Sequence, residues 1–506
     1  MAAHHIVGML IPAWGHTVAY LGIATQMLRR DPTLVITIVQ HNTMVAQMET
    51  ELSTYAYDTT RLRVMGVGEK EIPFGPEMFK QAIGELCGSW MKLIPELFQG
   101  SEGWPKPHAI HMDFFSGGLV VEPTKKIVGP DCKILVWYSS SLVSMPGQLN
   151  EYDYAAIAQE VFADAEKRQD RSMDEIMNAI AQARNGTDKL TGRIIKSPGI
   201  PDMYDHELIA HGAGPPNGLG HRLAAAQKLA KVADGYIVPT TVCVEPVGVP
   251  YCKEFYKKRG QELFTVGVQA HDLFWSDETP VLIANGQVKT FLDNAVNQYG
   301  SRSALYISFG SLFFPVATPA LVQALVNTLL ELEKPFPFIF SLGGKMASLP
   351  QELIERVNSS GKGLVCDFWV DQRAILRHGS VGWFLTHGGF NSVAESLSQG
   401  IPLIVWPVTA EQPLNAALLS SEPDPVAIEL LQVRIGPHRG PSLRGGSAIT
   451  GSVSDATEEF KATFEAARGE RGAMLTANAR KMAQELREAR NGKAAEELSR
   501  LAGFGN

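Results

Sequence analysis

The sequence predicts an α/β protein made of two doubly wound, Rossmann-like parallel-sheet lobes facing each other across a cleft. Three observations carry this expectation. The chain has 506 residues, more than one hydrophobic core usually supports. Short β-branched runs alternate with amphipathic helical segments up to Tyr138 and again after Gln287, which is the order of a parallel sheet. Between these stretches, from Asn150 to Ala230, the strand signal fades into an Ala/Glu/Gln-rich helical pattern.

Taken in order, the run His5 to Ile11 is apolar, lacks a basic flank and ends in Pro12. It therefore reads as a first strand and not as a signal peptide. Val18, Leu21, Ala24, Met27 and Leu28 follow at helical spacing, and Leu34 to Val39 forms a second strand, completing a strand–helix–strand unit. Leu62–Val67, Ala109–Met112 and Ile134–Tyr138 continue the alternation. The loop Gly212 to Gly218 has the wrong glycine spacing for a dinucleotide fingerprint, and its paired prolines would spoil a helix start. Strand signals return at Gly235–Pro239 and Leu263–Val268.

The expected division is a first lobe over 1–268, a linker over 269–286, a second lobe over 287–474 and a helical C-terminal segment over 475–506 that packs back on the first lobe. The last segment carries opposite charges at helical spacing, Lys481 with Glu485, Lys493 with Glu496 and Glu496 with Arg500, and Asn491-Gly492 is a natural break. The Gly/Pro-rich, basic segment Gly436 to Gly446 reads as a mobile surface loop.

Composition narrows the function classes. With 45 Lys+Arg against 53 Asp+Glu the net charge is −8, and without a basic run a nucleic acid is not an expected ligand. Five widely spaced cysteines without a Cys-x-x-Cys pair fit reduced thiols in a cytoplasmic protein and argue against a metal or disulfide framework. No apolar run is long enough for a membrane span.

Two places carry chemistry. In the second lobe the strand Val381–Leu385 runs through Thr386-His-Gly-Gly389 into a helical pattern from Asn391 to Gln399, closed by Gly400. A helix that starts directly after a strand points its free N–H groups into the crevice, where an anion such as a diphosphate is stabilised. Asn391 and Ser392 also suit N-capping, and Asn391 and Glu395 share one face. In the first lobe His16 opens the first helix, whose positive end favours a neutral imidazole able to act as a general base. Asp113 ends a strand of the same sheet, so its carboxylate can reach the other ring nitrogen.

The stretch Trp369 to Asn415 resembles the signature of UDP-sugar-dependent glycosyltransferases, the plant-type secondary-product enzymes of the GT-B class. The residues in register are Trp369, Gln372, His387, Gly389, Asn391, Ser392, Glu395, Pro402, Trp406, Pro407, Glu411, Gln412 and Asn415. Pro12 to His16 and Ser308 to Ser311 share the likeness. The resemblance implies that Trp369 stacks on uracil while the Val370 backbone reads its edge, and that Gln372 and Glu395 bind the ribose. Ser311, His387, Asn391 and Ser392, with Gly389 in the same turn, would hold the diphosphate. Glu411 and Gln412 would contact the sugar, with Ser140 as a further sugar contact. His16 would be the base and Asp113 its orienting partner. The chain departs from the plant pattern in reading His387-Gly-Gly-Phe390 where His-Cys-Gly-Trp is usual, and in carrying Val370-Asp371 for Cys/Ala-Pro.

The implied activity is an inverting, metal-independent transfer of a sugar, glucose by resemblance, from a UDP-sugar co-substrate to a hydroxyl of a small lipophilic acceptor. No other cofactor is expected, and the chain contains no Asp-x-Asp pair. The acceptor would bind in the first lobe, along Phe74–Phe98 and Asn150–Gly220. The rivals are a sugar-nucleotide epimerase or hydrolase on the same fold, and a non-catalytic protein that binds a UDP-sugar or a lipophilic ligand.

Overall fold

A computed structural model describes residues 4–73, 75, 77–149, 152–184, 192–211, 219–276 and 279–506. The Gly212–Gly218 loop and Phe74 lie outside these described residues. In chain order the strands are β1 (His4–Met9), β2 (Leu34–His41), β3 (Leu62–Val67), β4 (Ala109–Asp113), β5 (Lys133–Trp137), β6 (Ile194–Ile195), β7 (Met203–Tyr204), β8 (Gly235–Val238), β9 (Glu262–Thr265), β10 (Ala304–Ser308), β11 (Phe338–Ser341), β12 (Gly363–Cys366), β13 (Val381–Thr386), β14 (Leu403–Val405) and β15 (Ala427–Glu429).

The chain forms two compact units. The first comprises 1–182, 215–269 and 488–506, and the second 183–214 and 270–487. The first unit holds a seven-stranded parallel sheet in the order β3-β2-β1-β4-β5-β8-β9. Alternate residues of each strand feed separate cores. Ile6, Ile36, Ile38, Leu135 and Trp137 enter one, and Val7, Met9, Val39, Ile134 and Val136 the other. A sheet buried on both faces explains why these strands read as continuous apolar runs. The helix Lys493–Ala502 completes the first core with Leu498 and Leu501.

The second unit holds a six-stranded parallel sheet in the order β12-β11-β10-β13-β14-β15. Its core gathers Leu305, Ile307, Phe338, Phe340, Trp383, Leu385 and Trp406. Both units are therefore doubly wound, as expected. In each parallel sheet the strand order turns between that sheet's first strand in the chain and its fourth, at β1/β4 and at β10/β13.

The observed partition differs from a division at 269–286 in two respects. Residues 183–214 belong to the second unit, because His211 N–H donates to Val408 O at 2.8 Å and Ile435 N–H to Ala210 O at 3.1 Å. Residues 475–487 also stay with the second unit, where Lys481 pairs with Asp424 at 3.3 Å instead of with Glu485. The break at Asn491-Gly492 is present, with one helix ending at Asn491 and the next beginning at Lys493. Arg500 pairs with Glu497 and Glu262.

The segment 436–446 is not a loose loop. Arg444 bonds to Glu429 and, at 3.2 Å, to Glu207, while Ser442 Oγ donates to Glu207 at 2.8 Å. Arg434 is fully buried on Glu429 at 2.8 Å. These guanidinium groups are engaged by carboxylates, which tie the segment down.

Candidate functional site

In the first unit the helix Trp14–Arg30 begins three residues after Ile11, with Ala13 as its N-cap. His16 therefore lies in its first turn, and its Nδ1 is 2.7 Å from Asp113 Oδ2. Asp113 is the last residue of β4, is fully buried, and accepts a second bond from Phe115 N–H at 3.0 Å. A carboxylate only accepts, so Nδ1 carries the proton and Nε2 presents the basic lone pair. The His16 side chain keeps 19 % exposure.

The surroundings hold this pair. Phe114 stacks on the imidazole with centroids 5.6 Å apart and planes 14° from parallel. Trp137 Nε1–H donates to His16 O at 2.9 Å, and Tyr20 hydroxyl bonds His111 Nδ1 at 2.8 Å. Sequence reading missed Phe114 and Trp137, although Phe114 directly follows the candidate carboxylate. Ser140, beyond β5, is buried and its hydroxyl has no partner among the described residues.

In the second unit β13 passes through His387 and Gly388 into the helix Phe390–Ser398. Gly389 is the N-cap, and no side chain caps this helix. Asn391 and Ser392 thus sit inside the first turn and do not cap it, which leaves the first-turn N–H groups without a capping side chain, as an anion site requires. Gly388 has φ +83°, and a Cβ there would meet Val405 Cγ1 at 2.7 Å. The extra glycine is thus demanded by a left-handed turn packed on β14. Burial pulls His387 down to about 4. A neutral ring can donate to an anion without the cost of a buried charge.

Around this helix, Gln372 Nε2 donates to Glu395 Oε2 at 2.6 Å, and Tyr306 hydroxyl donates to Gln372 Oε1 at 3.3 Å. The two expected ribose ligands are thus already paired and oriented, with Tyr306 as a contributor the sequence did not single out. Trp369 is 72 % exposed, and its neighbour Val370 is buried. A large aromatic left on the surface is the opposite of a core residue and suits stacking on a base. A Cβ on Gly343 would stand 3.7 Å from the Trp369 ring, so the Gly343-Gly344 turn borders that face.

Ser311 is exposed after β10, and its carbonyl accepts from Lys345 N–H at 3.4 Å. Gln412 is buried, with Oε1 accepting from Val408 and Thr409 N–H at 2.9 and 3.0 Å. Only its amide NH2 remains for a sugar hydroxyl. Glu411 is the N-cap residue of the next helix and is half-buried. Asn415 Nδ2 donates to Gly388 O at 2.9 Å, tying that helix to the glycine turn.

The first-unit helix Met78–Gln99 gives a different result from the expected acceptor lining. Leu86, Trp90, Ile94 and Leu97 are core, with Trp90 Nε1–H donating to Thr124 Oγ1 at 2.8 Å. Among the described residues no cluster of three or more His, Cys, Asp or Glu is arranged to hold a metal ion. None of the described helices is long and apolar enough to cross a membrane.

The chain has the two Rossmann-like units of the GT-B fold, with an uncapped helix start, an exposed Trp and a paired Gln–Glu in the second. Residues 285–434 match the model of the UDP-glucoronosyl and UDP-glucosyl transferase family. The chain is 31 % identical over 326 residues to the UDP-glycosyltransferase eriJ of Hericium erinaceus, covering 62 % of each protein. It is 27 % identical over 277 residues to a nuatigenin 3-beta-glucosyltransferase of Solanum aculeatissimum, covering 54 % of each. A flavanone 7-O-glucoside 2''-O-beta-L-rhamnosyltransferase of Citrus maxima is 34 % identical over 175 residues, 33 % of this chain and 36 % of that protein. The chain thus spans less than two thirds of the length of each of these relatives.

Two solved structures share the fold at a TM-score of 0.68. One is a Phytolacca americana UGT complexed with UDP-2-fluoro-glucose and pterostilbene, 19 % identical with 99 % of this chain and 100 % of that one covered. The other is a Medicago truncatula UGT complexed with UDP-glucose, 18 % identical with 99 % and 98 % covered. Over the matched stretches the chain is therefore similar to UDP-sugar glycosyltransferases.

Proposed function

We propose that this protein transfers a glycosyl group, glucose first among the sugars, from a UDP-sugar to a hydroxyl of a small lipophilic acceptor, with inversion at the anomeric carbon. The observation that carries the proposal is the 2.7 Å bond between His16 Nδ1 and the buried Asp113 carboxylate. A sugar-nucleotide binding protein has no use for an oriented base.

In this reading His16 Nε2 takes the acceptor proton while the acceptor oxygen attacks the anomeric carbon opposite the UDP leaving group. Asp113 stabilises the imidazolium that forms. Charge then develops on the departing diphosphate, where the uncapped helix start at Phe390, neutral His387 and Ser311 stabilise it. Trp369 stacks the uracil over the buried Val370 backbone, the Gln372–Glu395 pair binds the ribose, and Glu411 and the Gln412 amide face the sugar. Ser140 adds an unspent hydroxyl for the sugar. The five free cysteines fit a reducing, cytoplasmic setting.

Relatives named for glucose and for rhamnose transfer both match the chain, so the sugar is the open variable of this proposal. The test is a matrix of UDP-sugars against phenolic, sterol and aliphatic hydroxyl acceptors, read by product mass and UDP release. Acceptor-dependent UDP release with a single hexose added supports it. UDP release that ignores the acceptor would instead indicate the hydrolase reading, and tight UDP binding without turnover the binding-protein reading.

A further inference from the structure

The second sheet has a feature at its other end that the donor reading does not use. Ligands of open α/β sheets usually sit beyond the carboxyl ends of the strands, where His387 and Ser311 lie. At the amino ends of β10, β11 and β13 there is an open groove of about 670 Å³, a size in the range of small-molecule sites. Its lining includes Arg302, Lys334, Arg468 and Arg480 and no Asp or Glu, in a chain whose net charge is −8.

The four cations differ in how they are held. Arg302 forks onto Gly400 O at 3.1 Å and Gln399 O at 3.3 Å. Arg468 donates from Nε to Phe464 O at 3.0 Å and lies 5.5 Å from the centroid of buried Phe336. These two form a fixed floor. The side chains of Arg480 and Lys334 are exposed and make no hydrogen bond or ion pair with any described residue. Tyr299, 40 % exposed, supplies a flat apolar wall beside them. Like charges gathered without a lining carboxylate repel one another, and Arg302 is pulled down by burial and by Arg480. An anion in the groove relieves that repulsion.

We propose that this groove binds an organic phosphate, a phosphate monoester carried on a flat apolar body. Arg480 and Lys334 would close on the phosphate oxygens, and the body would lie against Tyr299. Guanidinium and ammonium groups favour a phosphate through charge-assisted bonds, and the volume exceeds what inorganic phosphate fills. Arg302 also joins this groove to the helix Phe390–Ser398, since the carbonyls it holds follow that helix's last turn.

The experiment is a calorimetric titration of the full chain with phenyl phosphate while UDP is kept saturating. Saturable binding is expected, weakened about tenfold in Arg480→Ala and likewise in Lys334→Ala, the loss of one charge-assisted bond. Raised salt should weaken it further, and inorganic phosphate should bind less tightly. Both substituted side chains are exposed and unpartnered, so the fold is not at stake. Absence of saturable binding, affinity in both variants unchanged from that of the unsubstituted protein, or equal binding of uncharged phenol overturns the proposal. Because the readout is binding and not turnover, the inference stands or falls separately from glycosyl transfer.

Discussion

The two units put their candidate residues at the same topological place and use it differently. In both sheets the strand order turns between the first strand and the fourth, the position where open α/β sheets gather ligands. In the first unit the helix after the first strand starts almost at once, at Trp14, and carries His16 in its opening turn. The fourth strand ends in Asp113. In the second unit the helix after the first strand is delayed to Pro319, and it is the fourth strand that runs straight into a helix, at Phe390. Early helix onset beside the first strand holds a proton acceptor, and early onset beside the fourth leaves bare N–H groups for an anion. In the proposed reading, one winding rule thus supplies a base in one copy and an anion site in the other.

The sharpest way to break this comparison is to remove the base. His16→Ala should lower kcat by roughly 10²–10⁴-fold and leave UDP affinity unchanged, measured by steady-state kinetics and UDP titration on the same preparation. Equal activity in the variant would dissolve the division of labour. Acid tests both units at once. Burial pulls His111 in the first unit down to about 3 and His387 in the second to about 4, from 6.5. The unfolded chain therefore binds protons that the folded one refuses. Stability is full above pH 6.5 and falls as pH drops towards 4, each ring contributing on the order of 1–3 kcal/mol. Thermal melts between pH 7 and 4, with His111→Gln and His387→Gln, should show the acid slope shared between the units.

The doubly wound sheets were legible because their strands are buried on both faces, so β1, β5 and β10 stand out as apolar runs. His16 with Asp113 was legible because local pattern places them at a helix start and a strand end, whereas Trp369, Gln372 and Glu395 were singled out together through the family resemblance. What the sequence could not show were contacts that depend on three-dimensional neighbours. The 193–211 segment reads as a continuation of the first half, yet Glu207 and the backbone of Ala210 and His211 bind Arg444, Ile435 and Val408, far later in the chain. The segment 436–446 reads as a mobile loop because Glu207, which with Glu429 holds Arg444, is remote in sequence. Trp90 and Leu86 read as pocket lining because an amphipathic helix shows which face is apolar but not what covers it.

The comparison sharpens further on the binding side. Trp369→Ala should weaken UDP by about 1–3 kcal/mol, the usual loss of one base–aromatic stack, with kcat at saturating donor little changed. A drop in kcat with unchanged UDP affinity would place Trp369 elsewhere than on the base.

The smallest expected effect concerns the Gln372–Glu395 pair. Glu395→Gln keeps the size of the side chain and can still accept from Gln372, but it turns a charge-assisted bond to a ribose hydroxyl into a neutral one. The difference is about 1 kcal/mol, so the UDP dissociation constant should rise about fivefold, while 2'-deoxy-UDP, lacking one hydroxyl, should distinguish the two proteins less. If the substitution weakened both nucleotides equally, Glu395 would be acting through the turn of the helix Phe390–Ser398 and not on the ribose. The second unit's site would then rest on its helix start and Trp369 alone.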